Sequence, residues 1–299
     1  MKIGYECAEC IFHRGYLGIL KATDDPSVRF RALRSFFQML SENVGPEAVP
    51  SVLGTMRERT IREVTWNPDP YADVKRISNE KALAVLPMAE KIISTEASDD
   101  MRFRKACLSS IVGNVMEFGI VGHKFDFDDL ETLLHNAEED LIIDDTPEAF
   151  EIAKESPLIL YLTDNAGEIA FDTLFVRELK KIGAQVIVAV KDKPVFNDAT
   201  MEDAKYVGMN ETADSVITTG TDTMGLSLPE CSKEFLSYYD SADFVFAKGM
   251  AYAESITEID IKTPHLLLLR TKCPNVARYF GIERNRNVAK LLASFNKGN

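Results

Sequence analysis

Between residues 158 and 270, short apolar runs alternate with helix-length amphipathic stretches, and this alternation constrains the fold more than any other feature of the chain. The runs are Leu158-Ile159-Leu160-Tyr161-Leu162-Thr163, Val186-Ile187-Val188-Ala189-Val190, Val216-Ile217, Phe244-Val245-Phe246-Ala247 and Leu266-Leu267-Leu268-Leu269. Each is too short for a core helix and is apolar throughout, as a strand buried on both faces would be. The first intervening stretch, Glu168 to Lys181, sets Ile169, Leu174, Phe175 and Leu179 near one face and stops at Gly183, a good helix end. The pattern predicts an α/β fold: a Rossmann-like, mostly parallel sheet with helices on both faces.

In a parallel sheet the carboxyl ends of the strands share one edge, and ligands bind in the crevice there. Polar residues follow every run in this chain: Asp164-Asn165-Ala166-Gly167-Glu168, Asn197-Asp198-Ala199-Thr200, Thr218-Thr219-Gly220-Thr221-Asp222, Lys248-Gly249 and Arg270-Thr271-Lys272-Cys273-Pro274. Loops are polar in general, so any one of these means little. Their recurrence at one edge is the stronger signal.

Asp164, Asn165 and Asp198 offer two anionic oxygens and one neutral one, a ligand set for a hard divalent ion that borrows further oxygens from water and a phosphorylated substrate. Only His13, His123, His135 and His265 are present, none in these loops, which argues against a His-rich zinc hydrolase. Lys248, and the backbone N–H groups of a helix opening near Gly167, would neutralise and orient a phosphate, and Thr219 is a further candidate contact to substrate. Glu168 would orient or deprotonate a water, or support the ligands from behind them. Asp164, Glu168 and Lys248 are the expected catalytic groups; attack by water or by a carboxylate such as Asp164 both fit. The residues point to a metal-dependent phosphate-ester hydrolase or another enzyme of phosphorylated small molecules.

The amino-terminal half predicts helices over 6–22, 27–42, 46–63, 79–94 and 99–118 from apolar spacing near 3.6. Turns are marked by Asp24-Asp25-Pro26, Gly45-Pro46 and Asn67-Pro68-Asp69-Pro70, the last leading to Tyr71 as an aromatic anchor. The expected division is a mainly helical subdomain over 1–150 and a Rossmann-like metal-binding domain over 151–299. The acidic stretch Glu138-Glu139-Asp140 to Asp144-Asp145 reads as a solvated boundary between them.

The loop motifs together resemble the damage-control phosphatase family, the group also described through its acidic-residue methyltransferase member. The resemblance rests on Asp164-Asn165-Ala166-Gly167-Glu168, Phe196-Asn197-Asp198-Ala199-Thr200, Lys248-Gly249 and Lys272-Cys273-Pro274. Cys7-x-x-Cys10 is similar to the archaeal and bacterial branch. It implies phosphatase activity on small phosphorylated metabolites such as sugar phosphates, with manganese, cobalt, nickel or magnesium held by Asp164, Asn165 and Asp198. It also implies a substrate contact from Asn114, in Gly113-Asn114-x-x-Glu117, and one from Glu254. Tyr252 stands where the family commonly carries Asn. One family branch suggests a carboxyl methyltransferase using S-adenosylmethionine, although the first strand lacks a Gly-x-Gly turn. A non-catalytic metabolite or nucleotide binder is the other alternative.

The 47 acidic against 34 basic residues give a net charge of −13, which disfavours nucleic acid or an anionic membrane as partner. No long uncharged apolar run or secretory leader is read, so the expected location is cytoplasmic; nothing in the sequence speaks to oligomeric state. Five cysteines do not make a full disulfide framework. Cys7 and Cys10 would share a helix face as half of a metal site, a redox pair or buried small residues, and Cys273 could join them. Cys107 and Cys231 read as core, and His265 as a structural histidine.

Overall fold

The computed structural model describes residues 1–113 and 136–293. The amino-terminal helices are α1 (Cys7–Ala22), α2 (Pro26–Asn43), α3 (Pro50–Thr65), α4 (Ala72–Ser94) and α5 (Asp99–Gly113). Proline at the first position of α2 and α3 removes an N–H that would have no partner there, and Asp25 caps α2 by accepting from Ser27 and Val28. Helix α4 starts at Ala72, earlier than the expected 79. The Asn67–Tyr71 turn explains this: Asn67 Oδ1 accepts from Asp69 N (3.1 Å) and Asp69 Oδ1 from Tyr71 N (3.0 Å), so the chain is already coiled on entering the helix.

The sheet follows as β1 (Leu141–Asp144), β2 (Leu158–Leu162), β3 (Gln185–Val190), β4 (Ser215–Thr218), β5 (Phe244–Lys248), β6 (His265–Arg270) and β7 (Asn287–Leu292), in the order β1-β7-β6-β5-β2-β3-β4. All pairings are parallel except β6 with β7, where His265 faces Leu292 and Arg270 faces Asn287. Between the strands lie α6 (Thr146–Lys154), α7 (Glu168–Lys181), α8 (Met201–Tyr206), α9 (Met209–Thr212), α10 (Lys233–Ser241), α11 (Gly249–Ile256) and α12 (Pro274–Phe280). The expected α/β class is observed.

Alternate residues of the central strands feed two different cores. Ile159 and Tyr161 of β2, with Leu266 and Leu268 of β6, pack under α4, α5 and α7. Leu160 and Leu162, with Leu267 and Leu269, pack under α10, α11 and α12. This is why these runs are apolar without alternation. A third core, with Ile19, Phe36, Leu53 and Ile61, holds α1, α2 and α3 together. Sheet and helical half are not separated at residue 150: β1 already belongs to the sheet, and Phe103 of α5 is buried against Phe175 of α7 and Phe246 of β5. The acidic stretch read as a solvated boundary contains that edge strand, with Asp140 bound by Arg270 and Arg286 and Asp145 by Lys290.

His265 opens β6 in a buried position, with Nδ1 2.7 Å from the Thr263 carbonyl and Nε2 3.0 Å from the Tyr239 hydroxyl. Burial holds its pKa down to about 4, against the upward pull of the Thr263 carbonyl. Unfolded imidazole titrates near 6.5, so between these values the unfolded chain binds more protons. The stabilisation is complete above pH 6.5 and is lost as pH falls toward 4. His265 should account for about 2 kcal/mol of the stability lost between roughly pH 7 and pH 5. Urea unfolding of His265→Asn should then show a flatter pH dependence over that interval, and a slope equal to that of the parent chain would refute the assignment.

Candidate active site

The strand order reverses direction around β2, which lies between β5 and β3, and a crevice opens at such a switch point. The loops leaving β2 and β3 are joined there by backbone hydrogen bonds. Ala199 N donates to Asp164 O (2.8 Å), Ala166 N to Asn197 O (2.9 Å) and Lys191 N to Ala199 O (2.9 Å). Asn165 and Asp198 thereby face each other as an isolated antiparallel bridge. The spacing of more than thirty residues between them in sequence is thus closed by main-chain geometry.

Asp164 Oδ2 accepts from Asn165 Nδ2 (2.8 Å), and the same amide nitrogen donates to Glu168 Oε2 (3.1 Å). With its nitrogen committed to two carboxylates, Asn165 has its carbonyl oxygen left as an acceptor. Two glycines at positive φ press on this turn. Gly167 (φ 82°) leaves an added Cβ only 2.9 Å from Ser78 Cβ on α4, and at Gly249 (φ 83°), the first residue of α11, an added Cβ would overlap the Asp164 carboxylate. Gly167 N is held by Asn79 Oδ1 (2.6 Å), whose amide in turn donates to Asp203 Oδ1 (2.8 Å).

Lys248, at the end of β5, is wholly buried. Its ammonium donates to Ser110 O (3.0 Å), to Asp172 Oδ1 (3.0 Å) and to Glu168. Burial works to lower its pKa, but Asp172 and Glu168 outweigh burial and raise it, so it stays charged. Burial raises the pKa of Glu168, while Lys248 pulls it down. The sequence leads one to expect a phosphate partner for Lys248; here its ammonium donates to three protein oxygens, as a desolvated ammonium requires.

Asp198 is buried, and burial pushes its pKa up to about 7, with Lys191 opposing and Glu58 reinforcing. Lys191 lies just past β3, with Nζ 2.9 Å from Gly225 O, 3.2 Å from the Tyr252 hydroxyl, 4.5 Å from the centre of the Tyr252 ring and 3.9 Å from Asp198 Oδ2. Tyr252 therefore sits against a cation. Above this group the helical half supplies the buried pair Arg57 and Glu58, with Arg57 Nε to Glu58 Oε1 at 2.8 Å. Arg57 and Arg14 lie 5.8 and 5.3 Å from the centre of the Phe196 ring. Phe196 has φ 49° and stacks edge-on to Tyr71 at 4.8 Å.

The sequence matches the damage-control phosphatase ARMT1-like domain over residues 3–288. The chain belongs to this family. A damage-control phosphatase of Archaeoglobus fulgidus is 36% identical over 293 residues, covering 98% of this chain and all of the relative. One from Pyrococcus horikoshii is 34% identical over 298 residues, covering 97% of this chain and all of the relative. An uncharacterized protein of Methanocaldococcus jannaschii is 38% identical over 293 residues, covering 96% of this chain and 95% of its own. The crystal structure of a DUF89 family protein from Pyrococcus horikoshii superposes with a TM-score of 0.85 at 33% identity, covering 97% of this chain and 98% of that one. Family membership carries the enzyme class, a phosphatase and therefore a hydrolase.

Against this family background, Asp164, Asn165, Glu168 and Asp198 come together as the loop pattern anticipates. Thr219 follows β4, but its hydroxyl donates within its own loop to Thr221 O (3.2 Å). Glu254 on α11 faces the Ser51 backbone N–H, Cys273 and Arg14, and burial, reinforced by Cys273, pushes its carboxyl up to about 8. Asn114, His123 and His135 lie outside the described residues. Sequence reasoning missed Lys191, Asp172, Asn79, Arg57 and Glu58. For Lys191 a signal existed, since it follows an apolar run just as Lys248 ends one; for Asp172 it was the spacing of four from Glu168 on a helix face that is otherwise apolar. The cap residues carry no local signal, because only tertiary packing brings α3 and α4 to the crevice. No helix among the described residues is long and apolar enough to cross a membrane.

Gly249→Ala would place a methyl group into the Asp164 carboxylate and hold alanine at a left-handed φ. Displacing that carboxylate should lower kcat/KM by about 100-fold or more while the unfolding transition survives. Steady-state kinetics beside thermal unfolding would check this, and parental activity in a folded variant would contradict it.

Proposed function

We propose that this member of the family hydrolyses phosphate esters of small cytoplasmic metabolites, sugar phosphates among them, with a divalent ion held by Asp164, Asn165 and Asp198. Manganese, cobalt, nickel and magnesium all suit such oxygen ligands. The observation that carries the proposal is the joining of the β2 and β3 loops, which sets Asn165 against Asp198 beside Asp164.

The residues fit a cation: the carboxyl oxygens of Asp164 and Asp198 lie beside the Asn165 amide, and Asp198 is buried with its carboxyl raised to about 7 chiefly by that burial, a cost that a bound positive charge would offset. When bound, the ion supplies positive charge toward the phosphoryl oxygens.

The chain's own groups perform the rest. Glu168, fixed by Lys248 and Asn165, takes the proton of the attacking water, and its raised pKa matches that task. Lys248 acts by positioning Glu168. Contact with the substrate phosphate passes to Lys272, close enough to lower the pKa of Glu168, and to Arg57, whose buried Nη2 has no hydrogen-bond partner among the described residues.

Metal-stripped protein should release phosphate from para-nitrophenyl phosphate and sugar phosphates only after one of these ions is restored. Asp198→Ala should lose at least about 100-fold in turnover and bind the ion more weakly by calorimetry. A folded Asp198→Ala protein with parental turnover and ion affinity would sink the ligand assignment; absence of turnover with every ion in the folded parent chain would sink the proposed reaction.

A further inference from the structure

Helix α2 is apolar on two sides. One side sets Ala32, Phe36 and Met39 into the core shared with α1 and α3. The other repeats Phe30, Leu33, Phe37, Leu40 and Val44 at alternating steps of four and three, the spacing of a helix–helix seam. Leu33 and Leu40 tuck partly under the core, but Phe30 is 75% exposed, Phe37 51% and Val44, which caps the helix, 44%. Helix α1 widens the stripe. Phe12 lies parallel to Phe37, with ring centroids 5.7 Å apart and planes 3° from parallel, and Tyr16 follows one turn later on the same face. Both are exposed. The two helices meet closely because Gly15 leaves the space that the Phe36 ring occupies. Single exposed apolar residues are ordinary, whereas a group of large ones on one face marks a docking surface.

Charge decides what docks there. The chain carries −13 overall, yet α2 has Arg29, Arg31 and Arg34 against Glu42 alone. A second copy of so acidic a chain is repelled least at this face. Arg31 and Arg34 are exposed toward the start of the helix, and Glu42, which accepts from Gln38 (2.9 Å), is exposed toward its end. A two-fold axis through Phe37 sets Phe37 against its own copy and Phe30 opposite Val44 of the second chain. The same axis brings Arg31 and Arg34 within a turn of Glu42 on the other copy. The face thus complements itself in apolar pattern and in charge, as an isologous contact requires.

We propose that the protein forms a two-fold dimer in which α2 lies antiparallel to α2 of a second copy, flanked by Phe12 and Tyr16 of α1. The apolar stripe makes the centre and the arginine–glutamate pairs the rim of an interface of about 800 Å² per partner. Antiparallel helix dipoles add a small favourable contribution. Arg14, two residues from both Phe12 and Tyr16, lies on the opposite side of α1 at the Phe196 ring (5.3 Å), so the dimer leaves that wall of the crevice uncovered.

Sedimentation equilibrium of the full chain, from micromolar to hundred-micromolar concentration, should give the mass of a dimer. Phe30→Ser and Phe37→Glu should each raise the dissociation constant by about 30-fold or more while circular dichroism stays that of the parent chain. A chain carrying Arg31→Glu and Arg34→Glu, and another carrying Glu42→Arg, should each dissociate when alone and pair with each other when mixed. A parent chain that is monomeric throughout the range would overturn the proposal, as would a dimer that Phe30→Ser and the charge reversals leave unweakened. The charge reversals, confined to exposed positions, keep the test decisive if Phe37→Glu fails to fold.

Discussion

A single desolvated cation, Lys248, joins a central strand to two helices. It sits at the end of a central strand and bonds to α7 through Glu168 and Asp172, and to α5 through Ser110 O. Asp172 extends the group to Tyr161 of β2 (2.8 Å), whose hydroxyl meets Ser110 Oγ (3.2 Å). Removing the ammonium would strand two carboxylates in a dry interior, a loss on the order of 3–5 kcal/mol for breaking a buried pair. The helix that opens with Glu168 is thus fixed to the sheet by charge as well as by apolar packing.

The site also depends on helices that come from the other half of the chain. Asn79 of α4 holds the Gly167 turn, and Glu58 of α3 raises the pKa of Asp198. Helix α3 is clamped to the loop beyond β4 through Arg59 Nε to Asp222 Oδ1 (3.0 Å) and through Arg62 to the same carboxylate. That carboxylate is held well ionised: burial works against it, but the paired guanidiniums prevail. The metal-ligand candidates therefore lie between two layers whose relative position is set by ion pairs and hydrogen bonds.

Much of this was legible in the sequence, for a physical reason. A strand buried on both faces must be apolar at every position, so β2, β3, β5 and β6 announce themselves, and with them the edge where Asp164, Asn165, Asp198 and Lys248 gather. The edge strand β1 and its neighbour β7 did not, because half-exposed residues such as Ile142 and Lys290 dilute the signal, and β1 is hidden among acidic residues. The protein partners of Lys248 were not legible, because a lysine beside glycine looks the same whether its ammonium meets a ligand or a carboxylate. Arg57, Glu58 and Asn79 were invisible, since their function exists only once α3 and α4 are packed.

The two glycines that crowd the Asp164 turn, one backed by α4 and the other leading α11, give the molecule an uneven capacity for change. At Gly249 a side chain could not grow without moving the Asp164 carboxylate, and at Gly167 it would run into Ser78, so this turn is closed to innovation. Room for variation lies instead in the helical half, where α1 and α3 bring Arg14 and Arg57 to the Phe196 ring. A scaffold divided in this way can trade one substrate for another by redecorating its helical half, and leave the bond-breaking apparatus untouched.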